Sequence, residues 1–180
     1  FGEGIICFEA DNGKDYPYAL RHDLIDQIKS LKKKFPDYES FKTADITKIF
    51  DQKILNQSDI LTVNTLETSI YIKKEGFEFE KINFPREVQF SPVYSINSHD
   101  FDNDGDKDIL LGGNLYDVKP EIGIYDASYG LYLENLGNLK FKYHKDGNGF
   151  FVKGEIRDIL ISDKKVFVSK NNDKMEVFKF

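Results

Sequence analysis

Asp100-Phe101-Asp102-Asn103-Asp104-Gly105-Asp106-Lys107-Asp108, running at once into Ile109-Leu110-Leu111, is the stretch on which the fold turns. Five carboxylates in nine residues, offset by one lysine, would repel one another in any compact loop, and each burial would raise the cost of ionisation. A hard cation removes that cost. Asp100, Asp102 and Asp104 stand at positions 1, 3 and 5 and point toward a common centre as the chain coils. Gly105 permits the sharp reversal, the carbonyl of Asp106 supplies position 7, and Asp108 closes at position 9. The pattern predicts one structural Ca²⁺ with oxygen ligands drawn from Asp100, Asp102, Asp104, Asp106 and Asp108, the Asp106 side chain facing outward. Mg²⁺ suits the loop less well, because it demands tight octahedral geometry and keeps more water. A helix–loop–helix calcium motif is not expected: position 12 is Leu111 where a bidentate Glu belongs, and Ile109-Leu110-Leu111 reads as a strand.

Short β-branched and aromatic runs lie on both sides of this loop, separated by polar turns. Strands are expected at 60–63, 68–73, 77–82, 93–98, 108–113, 131–134, 139–143, 155–161, 165–169 and 175–178. An internal repeat organises them. Tyr71-Ile72-Lys73-Lys74-Glu75-Gly76-Phe77-Glu78-Phe79 parallels Tyr132-Leu133-Glu134-Asn135-Leu136-Gly137-Asn138-Leu139-Lys140-Phe141, and a looser copy runs from Phe167 to Phe178. Meanders of three or four strands cannot bury both faces alone, so they must stack, and a propeller is the natural solution, with hairpins in a sandwich as the alternative. Upstream, Leu20, Leu24, Ile28, Leu31 and Phe35 follow helical spacing over about four turns, ended by Pro36. A second helix is expected after a Thr43 cap, burying Ile46, Ile49 and Phe50.

The expected architecture is mainly β: a partial propeller of about three antiparallel blades. A helical insertion occupies about 19–56, an incomplete blade about 58–84, the calcium-loop blade about 88–144 and a terminal blade about 150–180. Three blades cannot close a ring, which suggests the end of a longer propeller or a small assembly whose strand edges are covered by Phe1 to Glu9 and the helices. The opening Phe1 points the same way, to a processed product or a piece of a longer chain.

Composition narrows function. With 40% hydrophobic and 14% aromatic residues the 180-residue chain has the bulk for a sizeable core, unlike a disordered one. A net charge of −6, with three arginines among 25 basic residues, disfavours a nucleic-acid face. No 18-residue apolar run offers a membrane-spanning segment, and no basic-plus-apolar leader opens the chain. The single cysteine, Cys7, excludes an internal disulfide framework and reads as a small apolar residue rather than a reactive thiol.

The Asp-x-Asp-x-Asp-Gly-x-x-Asp loop followed by Ile-Leu-Leu resembles the calcium loop of FG-GAP or VCBS repeats, the blade units of β-propellers. Tyr16-Pro17, Arg21, residues 31–38, Gln89-Phe90-Ser91-Pro92, Gly113-Asn114 and residues 125–130 resemble the C-terminal region of ASPIC/UnbV-like VCBS proteins exported by Bacteroidetes-type bacteria. The resemblance implies an extracellular, cell-surface or periplasmic setting, with attachment to an outer membrane through another region or partner. Its departures are that Asp163 aligns with Asp100 but leads into no metal loop, and that the Tyr71 copy lacks an Asp-rich approach.

His22, His99 and His144 show no zinc spacing, and Tyr125-Asp126 and Arg157-Asp158 form at most a polar centre without a nucleophile and partnered base. No catalytic or cofactor-binding residue is assigned. The expected function is a calcium-stabilised, non-enzymatic binding or scaffold module of a larger surface protein, partnered by the rest of the propeller or another subunit. A carbohydrate-binding or glycan-processing component, using exposed aromatics, and an intramolecular cap of a larger complex are the alternatives.

Overall fold

The computed structural model describes residues 4–120 and 122–180. The chain forms two compact units, Phe1–Val63 and Asn64–Phe180. At 17% helix and 32% strand it is a mixed α/β protein.

In the first unit, strands β1 (Cys7–Glu9) and β2 (Asp15–Pro17) form an antiparallel hairpin across the turn at Gly13. The expected long helix is two pieces, α1 (Arg21–Gln27) and α2 (Leu31–Lys34). Ile28 leaves the helical region at φ −123° and ψ 84°, and a turn through Lys29 and Ser30 restarts the chain. Phe35 leaves the helical region at φ −126° and ψ 80°, as the Pro36 that follows it demands. Short helices α3 (Tyr38–Phe41), α4 (Ile46–Ile49) and α5 (Gln52–Leu55) complete the unit. Leu24, Ile25, Leu31, Phe35, Ala44 and Ile49 form its core.

The cap of α4 is Asp45, not Thr43: its carboxylate accepts from the Lys48 amide at 3.0 Å, the Thr47 hydroxyl at 2.6 Å and Lys14 Nζ at 3.1 Å. The Thr47 bond first, then Lys14, lower its pKa to about 2. An unfolded Asp titrates near ~3.9, so this stabilisation is complete above that value and is lost as pH falls toward about 2. We expect the unit to lose stability across that window. Asp45→Asn should be less stable at neutral pH but nearly flat across the window, as read by NMR of the Leu24 and Ile49 methyls during acid titration.

The second unit is a stack of three antiparallel sheets. A hairpin of β3 (Ser69–Lys73) and β4 (Phe79–Asn83) comes first. A four-stranded meander follows, of β5 (Val93–His99), β6 (Asp108–Gly113), β7 (Leu131–Asn135) and β8 (Phe141–Tyr143). Last is a three-stranded meander of β9 (Ile156–Ser162), β10 (Lys165–Lys170) and β11 (Glu176–Lys179). Alternation decides which layer each side chain meets. Ile109 and Leu111 of β6, with Leu131 and Leu133 of β7, pack with Phe84, Val88 and Ile70 on the hairpin side. Leu110 and Tyr132 face the other way, onto Ile156, Ile159, Val166, Val168 and Phe150. Every residue of β6 is therefore buried. Full burial of a residue such as Leu133 contributes about 1.5–3 kcal/mol.

Glycine is required where β6 meets β9 and where it meets the start of β5. A Cβ on Gly112 would lie 2.3 Å from Ile156 Cγ2, and one on Gly113 would lie 1.7 Å from the Pro92 carbonyl oxygen. The free edges of β5 and β9 meet through side chains. Ser95 Oγ accepts from the Ile159 amide at 2.9 Å, and Asn97 Nδ2 donates to the Ile159 carbonyl at 2.9 Å.

Two further expectations are corrected. The three sheets do not make a propeller, whole or partial: they form an open stack, and the class is mixed α/β rather than mainly β. Sequence repetition sets the strand content of each sheet, but closure depends on the angle between layers and on what covers the end faces. Here the outer faces stay exposed, with Tyr71 and Phe79 on the hairpin and Leu160 and Val177 on the last sheet. The strand expected at 60–63 is also absent. Ile60, Leu61 and Leu66 are 84, 92 and 91% exposed, because β propensity forms no ladder without a partner edge. Phe1 to Glu3, expected to cover an edge, lie outside the described residues, and Cys7–Glu9 pairs with β2.

Candidate metal centre

The acidic segment joins β5 to β6. The pair His99↔Asp108 ends the ladder, and the eight residues between them fold into a compact loop. Asn103 at φ 62° and Gly105 at φ 97° supply its left-handed turns, conformations that Asn and Gly adopt at low cost. The aspartates shape their own loop. Asp100 accepts from the amides of Asp104 at 3.2 Å and Gly105 at 3.1 Å, Asp102 from Asp104 at 3.1 Å, and Asp104 from Asp106 at 2.8 Å.

This coiling gathers Asp100, Asp102 and Asp104, each offering a carboxylate oxygen within 4.8 Å of the others. Two ligands on opposite sides of a Ca²⁺ ion at roughly 2.4 Å each would be separated by about that distance, so one cation can reach all three. An ionised carboxylate has about four lone-pair sites, and the amide bonds leave several free. Crowding shows in the electrostatics. Partial desolvation within the loop, then the charges of Asp104, Asp108 and Asp100, raise the pKa of Asp102 against the opposing pull of the Asp104 amide. A cation would reverse that pressure.

Asp106 and Asp108 lie outside this triad. Asp106 is exposed, its Oδ2 beside the Gly137 turn. Asp108 is 0% exposed and serves as the anchor of the loop. Its Oδ2 accepts from the Phe101 amide at 3.1 Å and the Tyr132 hydroxyl at 2.9 Å, and its Oδ1 from the Asn135 amide at 2.8 Å. Burial, together with the hydrogen bond to Asp108, pushes the Tyr132 phenol far above its ordinary value. Tyr132 and Asn135 were not singled out by their sequence. Only the pairing of β7 with β6 brings them to Asp108.

The histidines stand apart from the triad. His99 packs edge-on against Phe101 and Phe180, with ring centroids 5.2 and 4.9 Å away. His22 Nδ1 lies 2.7 Å from the Tyr38 hydroxyl, and His144 Nε2 lies 2.5 Å from Glu134. Cys7 is half-buried, and burial followed by the charge of Asp15 pushes its thiol pKa up, away from thiolate chemistry.

At the other end of the same sheets lies a polar network that takes in Arg157. Asn114, 1% exposed, donates through Nδ2 to the carbonyls of Ser128 at 2.7 Å and Gly154 at 2.9 Å. Its Oδ1 accepts from Ser91 Oγ at 2.7 Å and the Ser128 amide at 3.1 Å. Arg157 is held by Glu155 at 2.7 Å and the Asn114 carbonyl at 3.0 Å, and lies 4.2 Å from the Tyr94 ring centroid. Asp158 instead accepts from Ser95 Oγ at 3.3 Å. Asn114 is the hub.

No family model matches the chain, and neither a curated protein nor a solved structure shows significant similarity to it. With the open stack of sheets, this overturns the assignment to FG-GAP or VCBS propeller repeats and to ASPIC/UnbV-like proteins. The likeness is confined to short motifs. An Asp-x-Asp-x-Asp-Gly turn is a local solution that any strand-to-strand connection can adopt, and it carries no information about how sheets close. Among the described residues no helix is long and apolar enough to cross a membrane.

Proposed function

We propose that this chain is a calcium-stabilised, non-enzymatic binding or scaffold module that works outside the cytoplasm. The observation that supports it is the convergence of Asp100, Asp102 and Asp104 in a loop clamped by the buried Asp108. Asp100, Asp102 and Asp104 would hold the ion, with water and loop carbonyls completing the oxygen shell. The ion would supply charge neutralisation, and the loop would in turn fix the ends of β5 and β6. Oxygen sites of this kind in extracellular modules bind at about 10⁻⁴–10⁻³ M, which matches calcium levels in that setting.

Calorimetric titration of chelator-treated protein is expected to show one site preferring Ca²⁺ over Mg²⁺. Asp102→Asn or Asp104→Asn, each removing one ligand charge at constant size, should weaken it about tenfold or more. Joint replacement of His22 and His144 should leave it unchanged. Calcium should raise the melting temperature by mass action, and no turnover should appear on a glycan panel. A flat titration, or calcium-dependent turnover at constant melting temperature, would defeat the proposal.

A further inference from the structure

The outer face of the three-stranded sheet carries an ordered pattern. Registers Phe167↔Leu160 and Phe167↔Val177 place three apolar side chains in one row across the sheet. Leu160 is 57% and Val177 48% exposed, with Phe167 partly exposed between them. Two residues along the strands in one direction the face bears Lys165 and Lys179, themselves a cross-strand pair, beside Ser162. Two residues in the other direction it bears Asp158 paired with Ser169. The apolar row thus lies midway between a basic and an acidic end. The turn at Asp163-Lys164 adds one charge of each sign.

We propose that this face is an isologous interface that pairs two copies of the chain about a two-fold axis. The axis lies in the plane of the interface, runs across the strands and passes over the Leu160–Phe167–Val177 row. Such an axis reverses strand direction, so each apolar residue meets its own counterpart, while Asp158 of one copy meets Ser162 of the other, one strand over from Lys165. An axis parallel to the strands would instead set Lys165 against its own counterpart. Charge complementarity therefore favours the axis across the strands over the one parallel to them. The face is small: three strands at about 4.8 Å and five residues at about 3.3 Å give roughly 14 by 17 Å. The dimer is accordingly weak, with a dissociation constant on the order of 100 µM.

Sedimentation of the full chain from about 10 µM to about 1 mM tests this. Wild type should shift from monomer to dimer, and Asp158→Lys alone or Lys165→Glu alone should weaken association at least about tenfold. An equimolar mixture of the two variants should restore it, because both charge pairs of the heterodimer are then opposite in sign. A structural defect in either variant would not be repaired by mixing. Asp158 also bonds Ser95, so Leu160→Lys, which touches no polar partner, provides an independent arm and should abolish the dimer. Wild type that stays monomeric, Leu160→Lys or Lys165→Glu that dimerises normally, or folded variants whose mixture fails to associate would each overturn the proposal.

Discussion

Asp108→Ala is expected to destabilise the Asn64–Phe180 unit by about 3–5 kcal/mol, with or without calcium. The carboxylate is fully buried and satisfies three donors, the Phe101 and Asn135 amides and the Tyr132 hydroxyl. Removing it leaves all three without a partner, and an unsatisfied buried donor costs about 1–3 kcal/mol. Asp108→Asn should recover little, because the amide nitrogen would point a donor at a donor on one side. Asp102→Asn makes the contrast: its exposed side chain bonds within the loop, so its cost without calcium should stay near ~0.5 kcal/mol. Urea unfolding of each variant in chelator and in excess calcium separates the two roles. Equal losses for Asp102→Asn and Asp108→Ala in chelator would show that Asp108 is not the anchor described here.

The difference between those aspartates explains what could be read in advance. The spacing of Asp100, Asp102 and Asp104 through Gly105 is a local property, and local geometry alone draws their carboxylates together. What Asp108 does depends on Tyr132 and Asn135, residues 24 and 27 positions away, whose arrival is settled by how β7 pairs with β6. The same division runs through the fold. Short β-branched and aliphatic runs marked the strands Val93–His99 and Asp108–Gly113 to within a residue, since each strand lies beside its neighbour across a short connection. Residues 60–63 carry the same β-branched signature and form no strand, because propensity supplies no partner. The apolar spacing from Leu20 to Phe35 correctly places Leu24, Leu31 and Phe35 in one core, yet the helix breaks at Ile28. Periodicity reports which side chains share a face, whereas continuity of a helix depends on each backbone position between them. Closure into a ring was the least legible feature, since it is set by layer angles that no repeat records.

Asn114→Gly is expected to cost about 3–5 kcal/mol, although it removes a polar side chain from an apolar interior. Asn114 stands at φ 81°, where glycine is at ease, so the substitution adds no backbone strain and isolates the loss of the side chain. That side chain makes four hydrogen bonds, tying the Ser91 hydroxyl and both backbone groups of Ser128 to the carbonyl of Gly154, which precedes β9. Without it the two carbonyls and the Ser128 amide are left buried in a space too small to rearrange freely. Asn114→Asp should be nearly as damaging, because it sets a carboxylate against both carbonyls in place of a donor. Replacement of the exposed Leu136 by Ala should fall within about 0.5 kcal/mol and serves as the reference. Amide exchange locates the effect: protection should drop first at Ser128 and Val152, whose amide bonds the Tyr129 carbonyl, while the acidic loop at the far end of β6 keeps its protection. If Asn114→Gly unfolds at the wild-type urea concentration, the network does not join the four-stranded sheet to the three-stranded one, and the apolar contacts between Leu110, Tyr132 and the Val166–Val168 strand, with the Ser95 and Asn97 bonds to Ile159, must hold them.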